Sequence, residues 1–453
     1  MVKIIRALLD KTGVSHAVFY FLVGKGISII TMPITLYLVV TLLSPIEQGF
    51  YFTFYSLLAT SIFFGLGLGV VICQFASHEY ANLTWQSNGR LSGNAESLER
   101  IISLIRQSQK WYTLAALLFA IVIIPSGIWF ISGNTSSGEA DFLIPWILLI
   151  VIFSFNTCLI PIFAAIEGCG KVADIQKMRL FQSLLGAVFA WLVLVNDGKL
   201  YSIAAEFIAY SILMVTWLLY FYRGLVYQAF IEESHIGVAH VSWSKEVLPM
   251  QWRIAVSWIA DFFISYFVVP LVFAFQGAVN AGKIGLSLKI STIVFTLSMA
   301  WVNTRTPLYG ALIKNKKFEE LDSLAMKSTV QAMLYSFGFT AIIMAALFLI
   351  NVFTTSYEER LLPVWVVGFM CLGSVAMVFN SAISGYLRAH KQEPLMVVMI
   401  MMSVILVAIC LVAAKYAELS TLAILYASVH IVFGIPSFFY ILISKRKEWY
   451  GNK

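Results

Sequence analysis

Residues 142–166 read FLIPWILLIVIFSFNTCLIPIFAAI, twenty-five positions without a charged side chain. A helix of that length covers about 37 Å, enough to cross the roughly 30 Å hydrocarbon core of a bilayer. Asn156, at its middle, is a polar group that a neighbouring helix can satisfy. Working outward, comparable stretches lie at 17–41, 49–76, 110–132, 177–196 and 201–222. A second set follows at 249–276, 283–304, 327–352, 361–387, 394–414 and 418–443, so that twelve spans are expected. The whole composition agrees. Of 453 residues 60% are hydrophobic and 12% charged, and the mean hydropathy is +0.87. Soluble domains are about 45–50% apolar and about 25% charged. These figures exclude a soluble enzyme, a disordered chain, a secreted disulfide scaffold and a nucleic-acid-binding domain.

The net charge of +7 follows from topology rather than from a polyanionic partner. Twelve spans return both termini to one side of the membrane. If that side is the cytoplasm, the outer loops hold only Lys199, Lys283, Arg360 and Lys415, while Lys25, Arg253 and Lys289 fall inside spans. The other 23 of the 30 Lys and Arg residues are cytoplasmic, as the positive-inside rule requires. At the start, Lys3, Arg6, Asp10 and Lys11 interrupt Ile4, Ile5, Leu8 and Leu9 at helical spacing. That pattern predicts a short amphipathic helix on the membrane surface rather than a cleavable signal peptide. The five cysteines are odd in number and widely spaced, which signals neither a disulfide framework nor a zinc site.

Loop lengths predict a six-helix lobe over 1–222, a cytoplasmic linker over 223–248, a second six-helix lobe over 249–443 and a basic cytoplasmic tail over 444–453. Long cytoplasmic loops are expected at 77–109 and 305–326. The halves overlay in parallel. Gly49 falls on Gly282 at an offset of 233 residues, and Lys171 falls on Lys391 at an offset of 220. Phe155-Asn156 and Phe379-Asn380 are 224 apart, one helical turn out of step.

A charge at the bilayer centre costs at least ~2.5–3.5 kcal/mol on insertion scales, so depth selects the groups that need a reason. Glu206 and Lys289 are shallow enough to snorkel, and Arg305 closes the eighth span at the cytoplasmic face. Lys25 lies about 12 Å into the first span between Gly24 and Gly26. Asp261 falls near the midplane of the seventh span, with Arg253 two turns nearer the cytoplasm. The repeat puts Lys25 opposite Trp258, three residues and hence one helix face from Asp261. These groups either line a charged central cavity or form a buried pair that locks the halves together. Pro33, Pro161 and Pro270 are candidate kinks, and Gly65-Leu66-Gly67-Leu68-Gly69 offers small residues four apart for close packing. His430 is a lone mid-span histidine. No phosphate-cradling glycine loop, paired-histidine helix or nucleophile elbow occurs, so no enzymatic activity is expected.

Four motifs carry a family resemblance. They are Pro45-Ile46-Glu47-Gln48-Gly49-Phe50-Tyr51, Phe64-Gly65-Leu66-Gly67-Leu68, Ala164-Ala165-Ile166-Glu167-Gly168-Cys169-Gly170-Lys171 and Gly385-Tyr386-Leu387-Arg388-Ala389-His390-Lys391. With twelve spans and a basic start, the chain resembles the polysaccharide-exporter branch of the multidrug/oligosaccharidyl-lipid/polysaccharide (MOP) superfamily, whose members include O-antigen flippases. The resemblance implies an all-α, polytopic, MATE-like fold of two parallel six-helix lobes around a central cavity. It further implies a multi-pass protein of the bacterial inner membrane that moves an undecaprenyl-pyrophosphate-linked oligosaccharide to the outer leaflet. A polysaccharide polymerase and a chain-length regulator are the protein partners it suggests, with no nucleic acid. On that reading Lys25 and Arg253 capture the pyrophosphate or acidic sugars, Arg305 is an entry contact at the cytoplasmic face, and Asp261 pairs with Lys25 or carries a coupling proton. No cofactor is expected, and coupling to a proton or a sodium ion stays open. A cation-coupled multidrug extruder of the same fold and a non-transporting scaffold of a polysaccharide assembly complex are the alternatives.

Overall fold

Ser44 and Pro45 separate the first two helices. The Ser44 hydroxyl accepts from the Glu47 amide at 3.1 Å, and the Glu47 carboxylate accepts from the Ser44 amide at 2.8 Å. This capping box, with Pro45 at the first helical position, ends α1 (His16–Leu42) and starts α2 (Pro45–Leu58). The computed structural model describes residues 16–134, 141–232, 243, 247–353, 359–390 and 393–450. The expected surface helix over 1–15, residues 233–242 of the linker, and Lys391 lie outside the described residues.

Among the described residues ten helices are long and apolar enough to cross a membrane, and a bent pair in the second span makes eleven. One of the ten runs from Ile254 to Gly310, 57 residues, or about 85 Å at helical rise, nearly three times the hydrocarbon thickness. The non-helical Gly277 (φ 83°, ψ 174°) divides it, which gives the twelve expected spans. The same run is also interrupted between α10 (Leu248–Ser265) and α11 (Val268–Lys314). Pro270 explains this second break: it cannot donate to the Tyr266 carbonyl, so the helix ends ahead of it instead of kinking around it. The second span breaks between α3 (Ile62–Gly65) and α4 (Leu68–Glu79), where Leu66 and Gly67 are both left-handed. The two halves of this span are bent by 49°. The glycine run 65–69 is therefore a helix break as well as a small-residue packing face.

The chain forms two compact units. One holds the described residues of Met1–Leu42, Thr60–Gly133 and Ala140–Trp258; the other holds those of Leu43–Ala59, Asn134–Glu139 and Ile259–Lys453. They differ from the expected lobes of 1–222 and 249–443 in that α2 groups with the second unit and the division falls inside α10.

Within the first unit, a buried cluster including Ile101, Ile105, Phe163, Ile166, Met178 and Leu225 joins α4, α5 (Ala95–Gly133), α6 (Leu143–Gly168), α7 (Val172–Val195), α8 (Tyr201–Phe221) and α9 (Arg223–Phe230). The expected loop 77–109 is largely ordered. It holds a two-stranded hairpin, β1 (Leu83–Trp85) and β2 (Leu91–Gly93), and the start of α5. Trp85 Nε1 donates to the Cys169 carbonyl at 2.8 Å, and Gln228 bonds both backbone groups of Leu91 at 2.9 and 3.0 Å. At 39 residues α5 is about 58 Å long, so its charged first turns extend beyond a bilayer core.

The second unit contains α2, α11, α12 (Phe318–Phe353), α13 (Val364–Ala389), α14 (Met396–Tyr416), α15 (Leu419–Val429) and α16 (Ile435–Tyr450). The expected loop at 305–326 shrinks to residues 315–317, because α11 and α12 both run on past the apolar stretch. The expected tail likewise continues α16 as helix to Tyr450. The mid-span asparagines occupy matching places in the two units. Asn156 Nδ2 donates to the Phe207 carbonyl at 2.9 Å, and Asn380 Nδ2 to the His430 carbonyl at 3.4 Å. Each thus joins its helix to the helix two spans on.

Candidate functional site

In the second unit a cavity of about 590 Å³ opens between α2, α10, α11, α13 and α15. Asp261, from the last turns of α10, lines it and is exposed to it. A carboxylate there faces the negative end of the helix dipole, an unfavourable place for an anion. The Ser265 hydroxyl donates to Asp261 Oδ1 at 3.4 Å, and Asp261 makes no ion pair among the described residues. The interruption after Ser265 leaves the Ile264 carbonyl without an intrahelical donor. Tyr426 fills that role: its hydroxyl donates to Ile264 O at 3.0 Å, and its ring meets His430 edge-on at 5.3 Å.

His430 is 2% exposed, lines the same cavity and opens a single π turn, His430–Gly434. Its Nε2 has no hydrogen-bond partner among the described residues. π turns within α-helices recur at functional sites. A Cβ on Gly434 would sit 2.4 Å from Asn380 Nδ2, so the missing side chain admits the asparagine that bonds the His430 carbonyl.

Lys289 of α11 also lines this cavity, its ammonium 5.6 Å from the centre of the Tyr55 ring. The cavity therefore carries charges of both signs, Asp261 and Lys289, with hydroxyls from Ser56, Ser374 and Ser381. Lys289, which the sequence suggested only as a snorkelling group, lines this cavity, and His430 has company that the sequence did not reveal. Depth along a helix says nothing about which way a side chain points. A signal was nonetheless present: Gly282, Gly285 and Lys289 repeat, at the 233 offset, the spacing of Gly49, Phe52 and Ser56 on one helix face.

The other sequence-selected cations are placed as follows. Lys25 is half-buried on α1 in the first unit, 5.6 Å from the Phe21 ring centre, and forms no ion pair among the described residues. Beside it, a Cβ on Gly24 would lie 3.8 Å from Leu180 Cβ, an ordinary contact. For Arg253 only the helical main chain of α10 is described, eight residues before Asp261. Arg305 is on α11, about 24 Å along the helix from Lys289. Its Nη1 donates to Ser328 Oγ at 3.2 Å and to Gln331 Oε1 at 2.7 Å, leaving Nε and Nη2 without a hydrogen bond among the described residues. The structure thus gathers Asp261, Lys289 and His430 around one cavity and leaves Arg305 apart from it. No cluster of three or more His, Cys, Asp or Glu side chains suited to a metal ion occurs among the described residues.

No family model matches the sequence, and no curated protein matches it. Solved structures do. A multidrug resistance MATE family transporter of the MOP superfamily, in an inward-facing conformation, aligns with a TM-score of 0.70 at 14% identity, over 96% of this chain and 99% of that chain. A MOP superfamily transporter from Pyrococcus furiosus, whose reversed binding-pocket polarity suggests a different function for it, aligns at 0.63 and 14% identity over 95% of each chain. An outward-facing MATE family transporter aligns at 0.62 and 14% identity, over 95% of this chain and 94% of that one. The chain is an all-α, polytopic membrane protein with a MATE-like fold.

Proposed function

We propose that the protein is a flippase that carries a lipid-linked oligosaccharide from the cytoplasmic to the outer leaflet by alternating access. The observation that carries this reading is the character of the cavity in the second unit. Serine hydroxyls, the aromatic faces of Phe52, Tyr55 and Tyr266, and charges of both signs surround it. Sugars bind to such walls, because hydroxyls satisfy hydroxyls and rings cover the apolar sugar faces. The pyrophosphate needs cations, since it cannot enter hydrocarbon with its charge uncompensated. We assign that role to Lys25 of the first unit, which forms no ion pair among the described residues. We assign it also to Arg253 on its sequence position, and Nε and Nη2 of Arg305, without a hydrogen bond among the described residues, offer a contact where substrate arrives. Asp261, at a helix interruption, suits binding or release of a coupling proton or sodium ion. The charge asymmetry of the loops favours the bacterial inner membrane with both termini cytoplasmic.

A cation-coupled multidrug extruder is the second reading, and the Asp261 carboxylate, in no ion pair among the described residues, favours it. Complementation of a flippase-deficient bacterial strain, scored for surface polysaccharide, separates the two. The wild-type chain should restore polysaccharide, and Lys25→Ala and Arg253→Ala at equal membrane levels should not. Failure of the wild type to restore it, with export of a cationic dye instead, would replace the flippase by the extruder. Polymer export unchanged after removal of Lys25, Arg253 and Asp261 together would point to a scaffold.

A further inference from the structure

A second cavity in the second unit, about 1200 Å³, lies at the interhelical connections rather than inside the bundle. Its polar rim comes from the Gly277 break, the α14–α15 turn and the stretch before α13, so it stands at headgroup level whichever way the chain is oriented. Lys283, Lys415 and Glu418 line it, the Lys415 ammonium 5.3 Å from the centre of the Tyr416 ring, and none of the three makes an ion pair among the described residues. Gln276 is committed, its amide donating to the Ala414 and Ala417 carbonyls at 3.1 and 3.0 Å. Asn280 donates to the Gln276 carbonyl at 3.2 Å, which leaves its own amide oxygen as an acceptor toward the cavity. One wall, Met344, Leu347 and Phe348 of α12, is apolar and runs from this rim toward the hydrocarbon. Trp365, 64% exposed, borders it as interfacial tryptophans do.

We propose that this cavity holds the headgroup of an aminophospholipid, phosphatidylethanolamine, with Lys283 and Lys415 on the phosphate, and Glu418 and the Asn280 amide oxygen on the ammonium. Charge complementarity selects the occupant. Two cations and one carboxylate that leave each other unpaired match a phosphate carrying a tethered amine. An anionic headgroup without an amine would leave Glu418 facing like charge. A free phosphate would use neither Glu418 nor the apolar wall, along which an acyl chain can lie. Basic pockets between membrane helices are established sites for lipid headgroups, and this one adds a carboxylate that discriminates among them. The inference does not depend on what the protein transports.

The test is native mass spectrometry of the purified full chain, with phosphatidylethanolamine and phosphatidylglycerol of identical acyl chains, and inorganic phosphate as competitor. The wild type should retain phosphatidylethanolamine in preference to phosphatidylglycerol. Lys283→Gln/Lys415→Gln should bind it roughly tenfold more weakly or worse, given about 1 kcal/mol per basic residue near a lipid phosphate. Glu418→Gln should abolish the preference while still binding phosphatidylglycerol, which also shows that the variant is folded. Phosphatidylglycerol bound as well as phosphatidylethanolamine by the wild type would overturn the proposal. So would an unchanged preference in Glu418→Gln, full binding by the double variant, or displacement of the lipid by inorganic phosphate.

Discussion

Gly49 and Gly282, which the internal repeat makes equivalent, meet each other where α2 crosses α11. A Cβ on Gly282 would lie 3.0 Å from the Gly49 amide nitrogen, and one on Gly49 would lie 1.9 Å from the Ala278 carbonyl oxygen. Gln48 fastens the crossing, its amide donating to the Gly282 and Arg360 carbonyls at 3.0 Å each. Phe50 closes one side, edge-on to Phe273 at 5.4 Å.

Gly49→Ala is therefore expected to destabilise the second unit, since its Cβ meets backbone that cannot turn aside as a side chain can. Overpacking of this kind costs about 1–3 kcal/mol. Gly282→Ala, with a looser contact, should cost less. Thermal unfolding in detergent measures the order, and equal midpoints for wild type and Gly49→Ala would show that the crossing is not close-packed.

How much of this was legible beforehand depends on what each signal reports. Hydropathy gave the spans and the loop charges, and the Gly49–Gly282 offset located one packing seam. Hydropathy also cut helices short, beginning α5 at 110 and ending α11 at 304, because it registers the loss of apolar residues and not the continuing backbone ladder. The break at Leu66 and Gly67 escaped notice because a left-handed leucine (φ 48°) runs against local preference and is held by tertiary packing. Asp261 stood out by its depth. Lys289 and His430 needed the helix faces as well, which one sequence shows only faintly.

Arg305 is expected to act as a brace as well as a contact. Its bonds to Ser328 and Gln331 tie α11 to α12, and hydrogen bonds to charged groups contribute about 1.5–3 kcal/mol. Arg305→Ala should lower the unfolding midpoint. Ser328→Ala should lower it less, and the two changes together should cost less than their sum. An unchanged midpoint in Arg305→Ala would leave the arginine only a substrate role.

Stability should fall below neutral pH through His390, just beyond the end of α13. Burial holds its imidazole below the ordinary value, against the opposing pull of the Tyr386 carbonyl and Asp322. The ring stacks on Trp449 at 4.0 Å, and Nδ1 donates to Tyr386 O at 3.2 Å. Asp322 is itself engaged by Tyr386 and Arg446. A histidine whose folded pKa is depressed contributes stability that is complete above the unfolded value of about 6.5 and is lost as pH falls through the folded one. The unfolding midpoint should thus drop on acidification from pH 7 to 5, and His390→Gln should flatten that slope. An equal slope in both proteins would assign the acid sensitivity elsewhere.

Asp261 should separate stability from function. A carboxylate deep in a span costs free energy, and one near a helix C-terminus adds to that cost. Its visible hydrogen bond, to Ser265 at 3.4 Å, is long and offsets little of it. Asp261→Asn keeps the shape and removes the charge, so the unfolding midpoint should stay level or rise. Transport should nonetheless fall about tenfold or more, because the amide can neither hold a coupling ion nor release a proton at working pH. Complementation and unfolding measured on the same membrane preparations give both numbers. A parallel loss of stability and transport would make Asp261 a structural residue, and the search for the coupling group would then move to His430, whose buried Nε2 lines the same cavity without a hydrogen-bond partner among the described residues.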